Sequence, residues 1–133
     1  MDNVMQRAQS SGKIRTLLGR LCRFHLWEPN QFGIHKALSH DAALLEHGPG
    51  IKRAYTYKAL NRLIQGSAAD MTKKAMIDLH KEKIIPHIQV HDELDISVSD
   101  NADKIKEIME NAVSLEVPNK VDYESGPNWG IIK

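Results

Sequence analysis

The apolar positions of this chain change period several times, and each change marks an element. Between Ile84 and Val98, apolar and polar residues alternate through Ile88 and Val90, then through Leu94, Ile96 and Val98. A half-buried strand requires a period of two, so strands are predicted at about 84–90 and 94–99, joined at a tip of His91, Asp92 and Glu93. Upstream, from Arg53 to about Lys83, the residues Tyr57, Leu60, Ile64, Ala68, Met71, Ala75 and Leu79 recur at steps of three or four, as on one face of a helix. Pro86 breaks one pattern from the next. Downstream, Ser99 or Asp100 can cap a helix carrying Ile105, Ile108, Met109, Ala112 and Val113 on one face, and Val121 with Tyr123 suggests a last strand.

The front of the chain is less regular. Residues 2–10 read as the tail of a helix, and "GKIRTLLGRLCRF" alternates around Gly19 as two short strands joined by a tight turn. Residues 25–52 mix turn residues with a brief periodicity at Ala42, Leu44 and Leu45, which predicts an irregular excursion with a small helix. The sum is an α+β fold: a small antiparallel sheet with an acidic hairpin, packed against a long helix and a second, shorter one. With 133 residues and 15.0 kDa there is room for one modest core, hence a single domain. Its parts are 1–24 (helix end and basic hairpin), 25–52 (excursion), 53–83 (long helix), 84–99 (acidic hairpin) and 100–133 (helix and final strand). Gly66, inside the long helix, costs about 1 kcal/mol relative to Ala, which implies that another backbone or a ligand comes close.

Charge adds an asymmetry that the net value of +1 hides. Arg7, Lys13, Arg15, Arg20 and Arg23 face only Asp2 in the first 24 residues. From Asp92 onward, Asp95, Asp100, Asp103, Glu107, Glu110, Glu116, Asp122 and Glu124 outweigh Lys104, Lys106, Lys120 and Lys133. A basic front and an acidic back suit a polyanion on one side, although solvated faces of a near-neutral domain look the same. Cys22 is the only cysteine, which excludes intrachain disulfides; with no secretory leader, the reducing cytoplasm is the expected setting. No apolar run approaches the roughly 20 residues of a membrane span, so no membrane partner is expected.

The candidate chemistry is concentrated in two places. Adjacent carboxylates at Asp92 and Glu93 repel each other, and a divalent cation such as Mg²⁺, which takes oxygen ligands, would rationalise them; an ordinary acidic turn is the alternative. Asn61 and Gln65, four apart on the long helix, present two amides side by side, able to address the N3 and O2 acceptors of a minor groove or merely to sit at a solvated edge. His87 and His91, with His25, His35, His40 and His47, lack the tight spacing of a zinc site. The phosphate-loop, esterase-elbow and zincin motifs are all absent from the sequence.

Taken together, "YKALNRLIQGSAADMTKKAMIDL" followed by "IIPHIQVHDELDISVS" resembles the carboxy-terminal palm region of family A DNA polymerases, especially the replicative enzymes of phages and prophages. The family pattern is a helix bearing an Asn and, four residues later, a Gln followed by small residues, then a hairpin tipped by His-Asp-Glu. "GKIRTLLGRLCRF" looks like the family's "TLxGR" hairpin, and "GPNWG" is similar to endings of the phage members. The resemblance implies a DNA-directed DNA polymerase, a nucleotidyltransferase of DNA replication in a bacterial host cell. Asp92 then corresponds to the second catalytic aspartate, a ligand of two Mg²⁺ ions, and Glu93 to its acidic neighbour near the metals and primer end. His91 corresponds to the histidine on the primer-terminal backbone, Asn61 and Gln65 to residues touching the duplex near its growing end, and Arg20 to the basic residue beside the nucleic-acid backbone. Glu93 after the aspartate favours DNA over RNA synthesis.

The implied partners are primer–template DNA and deoxynucleoside triphosphates. The family's "DYSxxE"-like motif, which carries the first catalytic aspartate, is absent from these residues, and so are the "RxxxKxxxxxxYG"-like fingers segment and any exonuclease portion. The chain alone is therefore expected to be inactive, whether as a split subunit, a remnant or an expressed fragment, with the first-aspartate motif and the fingers on a second chain or missing segment. The alternative is a non-catalytic duplex-DNA-binding or polymerase-interacting module derived from that scaffold.

Overall fold

The computed structural model describes residues 2–97 and 100–132, and in them the chain is α+β. Its strands form three two-stranded antiparallel ladders instead of one sheet. The chain divides into two compact units, residues 1–67 and 68–133.

In the first unit, α1 (Asp2–Ser11) ends where Gly12, at φ +70°, donates its N–H to the Ala8 carbonyl at 3.0 Å. That left-handed conformation closes a helix without Cβ strain when the residue is glycine. The chain then reverses into β1 (Lys13–Arg15), which pairs with β2 (Leu21–Arg23) in the register Lys13↔Arg23, Ile14↔Cys22, Arg15↔Leu21. Alternation buries Ile14 and turns Lys13 and Arg15 outward. Ile14 joins Ala8, Phe24 and Ala59 in a core against which Val4, Cys22 and Leu63 pack.

The excursion is more ordered than its composition predicted. β3 (Trp27–Pro29) pairs antiparallel with β4 (Ile51–Arg53), and the connection between them carries α2 (His40–His47). The apolar rhythm there was a poor guide, since α2 buries Ala43 whereas Leu45 is 91% exposed. Arg53 ties the base of the ladder down: Nε donates to the Gln9 carbonyl at 3.1 Å and Nη1 to the Phe24 carbonyl at 3.0 Å, with the guanidinium 4.6 Å from the Trp27 ring centroid. Glu28 is buried, with His35 Nδ1 at 3.4 Å and Lys52 Nζ at 4.0 Å. A carboxylate taken out of water needs such partners.

A short 3-10 turn at Thr56–Lys58 leads into α3 (Ala59–Lys81), which begins in the first unit and ends in the second. The helix starts later than the pattern from Arg53 predicted because residues 51–53 are committed to β4. The expected apolar face holds in part: Ala75 and Leu79 are buried, whereas Ile64 is exposed, Tyr57 lies exposed in the 3-10 turn, and Ala59 is buried beside a half-buried Leu60.

In the second unit, Lys83 at φ 60° turns the chain out of α3, and β5 (Ile88–Val90) pairs with β6 (Glu93–Asp95). These strands are shorter than 84–90 and 94–99; Val98 and Ser99, the latter a candidate cap, lie outside the described residues. α4 (Ala102–Glu110) follows, with Asn101 at the N-cap in place of Asp100 and no side-chain capping bond. Leu79, Ile84 and Ile105 form the core, with Leu94, Ile96, Ile108 and Met109 packed on it. The strand expected through Val121 and Tyr123 does not form: residues 111–132 hold no helix or strand, and the Val121 N–H donates to Glu110 Oε1 at 2.9 Å instead of to a ladder. Among the described residues no helix is long and apolar enough to cross a membrane.

Candidate functional site

The acidic hairpin closes with a two-residue loop, His91 and Asp92. Glu93, expected at the tip, is the first residue of β6 and lies opposite Val90. Loops this short need a positive φ at their first residue to match the strand twist, and His91 supplies it at φ 50°. The loop is braced from β5, where Gln89 Nε2 donates to the His91 carbonyl at 2.7 Å. The adjacent carboxylates are thus separated in setting, Asp92 outside the ladder and Glu93 within it, and both side chains are exposed.

Both also line an open cavity of about 1200 Å³ in the second unit, with Ala68, Met71, Thr72 and Ala75 of α3 along one wall and residues of the 119–129 segment along another. The small residues of α3 leave that space open. Asp95 joins the two carboxylates in the lining, and its Oδ2 is buried without a hydrogen-bond partner among the described residues. Sequence reading counted Asp95 only as a charge; its spacing of two from Glu93 on one strand was the signal that they share a face.

Among the described residues, no group of three or more His, Cys, Asp or Glu side chains could hold a metal ion, so the histidines give zinc no ready-made cage. Mg²⁺ asks for less. It binds through one or two protein carboxylates and completes its octahedron with water and substrate phosphates, and the exposed oxygens of Asp92, beside Glu93, fit that donor set in part. Elsewhere, the Lys74 hydrogen bond, aided by Lys81, holds the Asp78 carboxyl below its usual range, and the Lys36 hydrogen bond does the same for Glu46. Both are ion pairs of the scaffold.

The remaining candidates fall in the first unit. Asn61 and Gln65 are exposed and one turn apart on α3. Beside Gln65, the turn between β1 and β2 docks on the helix: Arg20 Nη2 donates to the Gly66 carbonyl at 2.9 Å, and the Leu17 N–H donates to Ser67 Oγ at 3.0 Å. A Cβ on Gly66 would fall 2.7 Å from Thr16 Cγ2. The close approach that Gly66 implied is thus made by a threonine side chain, where a backbone or a ligand was expected. Arg20, Asn61 and Gln65 therefore form one cluster in the first unit, and His91, Asp92 and Glu93 form another in the second.

Comparison with known proteins supplies the family. Residues 1–131 match the model of the family described as DNA polymerase family A. The chain is 39% identical over 126 residues to a DNA-directed DNA polymerase of Pseudomonas phage M6, an alignment covering 93% of this chain and 16% of that protein. It is 36% identical over 140 residues to DNA polymerase I of Geobacillus stearothermophilus, covering 97% of this chain and 14% of that protein. A solved structure, the POL domain of Pol1 from M. smegmatis in complex with DNA primer–template and dNTP, superposes with a TM-score of 0.57 at 30% identity, covering 88% of this chain and 20% of the other. The chain thus spans 14 to 16% of the length of these two curated relatives.

Proposed function

The chain belongs to DNA polymerase family A, and on that premise we propose that it forms the carboxy-terminal palm portion of a DNA-directed DNA polymerase, contributing one metal-binding aspartate and primer–template contacts to deoxynucleotidyl transfer. The observation that supports this most is the setting of Asp92: an exposed carboxylate in a two-residue hairpin loop, on the wall of a cavity of about 1200 Å³. An acidic loop on a large open cavity suits a polyphosphate substrate bridged by a cation.

In the complete enzyme the primer 3′-hydroxyl oxygen bonds to the α-phosphorus of the incoming deoxynucleotide as the bond to the β-phosphate oxygen breaks, and pyrophosphate leaves. Asp92 would be one of the ligands of Mg²⁺, and that ion, once bound, would supply the Lewis acidity that lowers the pKa of the attacking hydroxyl and offsets charge on the leaving oxygens. Glu93 adds negative charge beside that ligand. His91 donates from its ring to the primer-terminal backbone. Asn61 and Gln65 donate to minor-groove acceptors common to all base pairs, so they hold the duplex without reading its sequence. Arg20, oriented by its bond to the Gly66 carbonyl, faces the backbone.

Primer extension with Mg²⁺ tests this. The expected results are no synthesis by the chain alone, synthesis once a segment carrying the first aspartate motif and the fingers is supplied, and loss of that synthesis, by about 10²-fold or more, on Asp92→Ala. Unchanged synthesis by the reconstituted Asp92→Ala enzyme would sink the assignment. The exposed amides of Asn61 and Gln65 beside Arg20, which need no metal to meet a duplex, favour one second reading, a non-catalytic duplex-binding module of the same scaffold. It predicts duplex binding and no synthesis with any complementing segment.

A further inference from the structure

The outward face of the β1–β2 hairpin carries a repulsion that the fold does not explain. Lys13 and Arg23 are direct cross-strand partners, so their side chains leave the same face, and Arg15, two residues along β1, shares it. All three residues are exposed, and like charges directly opposite on a ladder destabilise it. No relief comes from nearby sequence, because no Asp or Glu occurs from Asn3 to Trp27. Nor does folding bring a carboxylate to them: none of the three makes an ion pair among the described residues. Arg15 Nη1 donates to the Gly19 carbonyl at 2.8 Å, and Arg7 of α1 lines a cavity of about 180 Å³ together with Arg15.

We propose that this face, Lys13, Arg15 and Arg23 with Arg7 at its margin, is a further contact surface for the phosphate backbone of duplex nucleic acid, separate from the cluster of Arg20, Asn61 and Gln65. Charge complementarity selects the ligand class. Phosphates would neutralise the Lys13–Arg23 repulsion, and arginine's planar fork matches phosphate oxygens in pairs. Neither strand of the ladder contains an aromatic residue, so the ladder itself offers no stacking platform of the kind that single-stranded binding uses. Contacts made only to phosphates carry no sequence preference and respond strongly to salt. The identity of the polyanion as a duplex rests on the polymerase reading.

The test is the salt dependence of binding to a fluorescein-labelled primer–template duplex, followed by anisotropy. The triple variant Lys13→Gln, Arg15→Gln, Arg23→Gln should lower the slope of log affinity against log salt by about 2 to 3, at about 0.9 per phosphate contact. A control with the same formal charge change, Lys36→Gln, Lys81→Gln, Lys104→Gln, at exposed lysines already paired with carboxylates, should keep the wild-type slope. The double variant Lys13→Gln, Arg23→Gln, which keeps the Arg15 bond to Gly19, should unfold no earlier than the wild type on heating, because it loses a repulsive pair. No salt-dependent binding by the wild-type chain, an unchanged slope in the triple variant, or earlier unfolding of the double variant overturns the proposal. Polyglutamate competing as well as duplex also overturns it, in favour of an acidic protein partner. Primer extension by the reconstituted enzyme keeps the two readings apart. Extension with an unchanged slope defeats only the hairpin surface, and a lowered slope without extension defeats only the polymerase assignment.

Discussion

Arg20 Nη2 donates to the carbonyl oxygen of Gly66 at 2.9 Å, joining the turn between β1 and β2 to the middle of α3. The bond depends on an absence. Thr16 occupies the space where a Gly66 side chain would begin, so the hairpin can lie on the helix only because residue 66 has none. The cost of glycine in a helix interior is thereby offset by the docking of the segment that carries Arg20.

Gly66→Ala is therefore expected to destabilise the chain despite alanine's better helix propensity. Overpacking costs about 1–3 kcal/mol and propensity returns about 1 kcal/mol, so the net loss in urea unfolding should be up to about 2 kcal/mol. The cause is checked by a double-mutant cycle. Thr16→Ser removes the Cγ2 that a Cβ would meet at 2.7 Å, and in that background Gly66→Ala should cost little or nothing.

That contact shows where sequence reasoning reached its limit. The β1–β2 and β5–β6 hairpins were legible because their alternation and turn residues are local. The β3–β4 ladder was not, because Trp27 pairs with Arg53 across the whole excursion and neither three-residue strand is long enough to set a rhythm. The strand expected at Val121 and Tyr123 fails for the converse reason: alternation is present, but no described strand pairs with it. For the site, the motif pointed to Asp92 and Glu93, yet their different settings follow from a register that makes the loop two residues long. Asp95 and the Thr16–Gly66 contact required coordinates, since one depends on which strand face lines the cavity and the other on tertiary docking.

Glu28 is the residue of the excursion whose loss should matter most. Its carboxylate is buried between β3 and β4 and reaches His35 on the connecting loop and Lys52 on the facing strand. Both partners are partly exposed, so the pair is screened, and Glu28→Ala should cost about 1 kcal/mol, below the range for fully buried charged bonds. The more specific expectation is local. Limited proteolysis should cut residues 30–38 faster in Glu28→Ala than in the wild type, with cleavage of the β1–β2 hairpin unchanged.

The Lys74–Asp78–Lys81 cluster on α3 should make stability depend on pH in acid. Asp78 is held below its usual range by Lys74 and then Lys81, so its folded pKa lies below its unfolded one, near about 3.9. A carboxylate depressed in this way contributes stability that is fully present above the unfolded value and is lost as pH falls through the folded value. The melting temperature of Asp78→Asn should therefore lie below the wild type at pH 6, and the two curves should converge as pH drops below about 4. A gap that persists unchanged at low pH would assign the effect to packing instead of charge.

His91 allows conformation and contact to be separated at the candidate site itself. At φ 50° it holds a left-handed conformation costing a non-glycine residue about 1–2 kcal/mol, a strain that glycine would relieve. Glycine loses more chain entropy on folding, roughly 0.5–1 kcal/mol, so His91→Gly should leave stability within about 1 kcal/mol of the wild type or raise it. The Gln89 bond goes to the backbone carbonyl of residue 91 and survives the change, so the loop should keep its shape. If the imidazole donates to the primer-terminal backbone, primer extension by the reconstituted enzyme should nevertheless fall by about 10- to 100-fold, the worth of one charge-assisted hydrogen bond. A stable His91→Gly protein with full extension would leave His91 a turn residue only, and strain at that position would then serve the hairpin and not the primer.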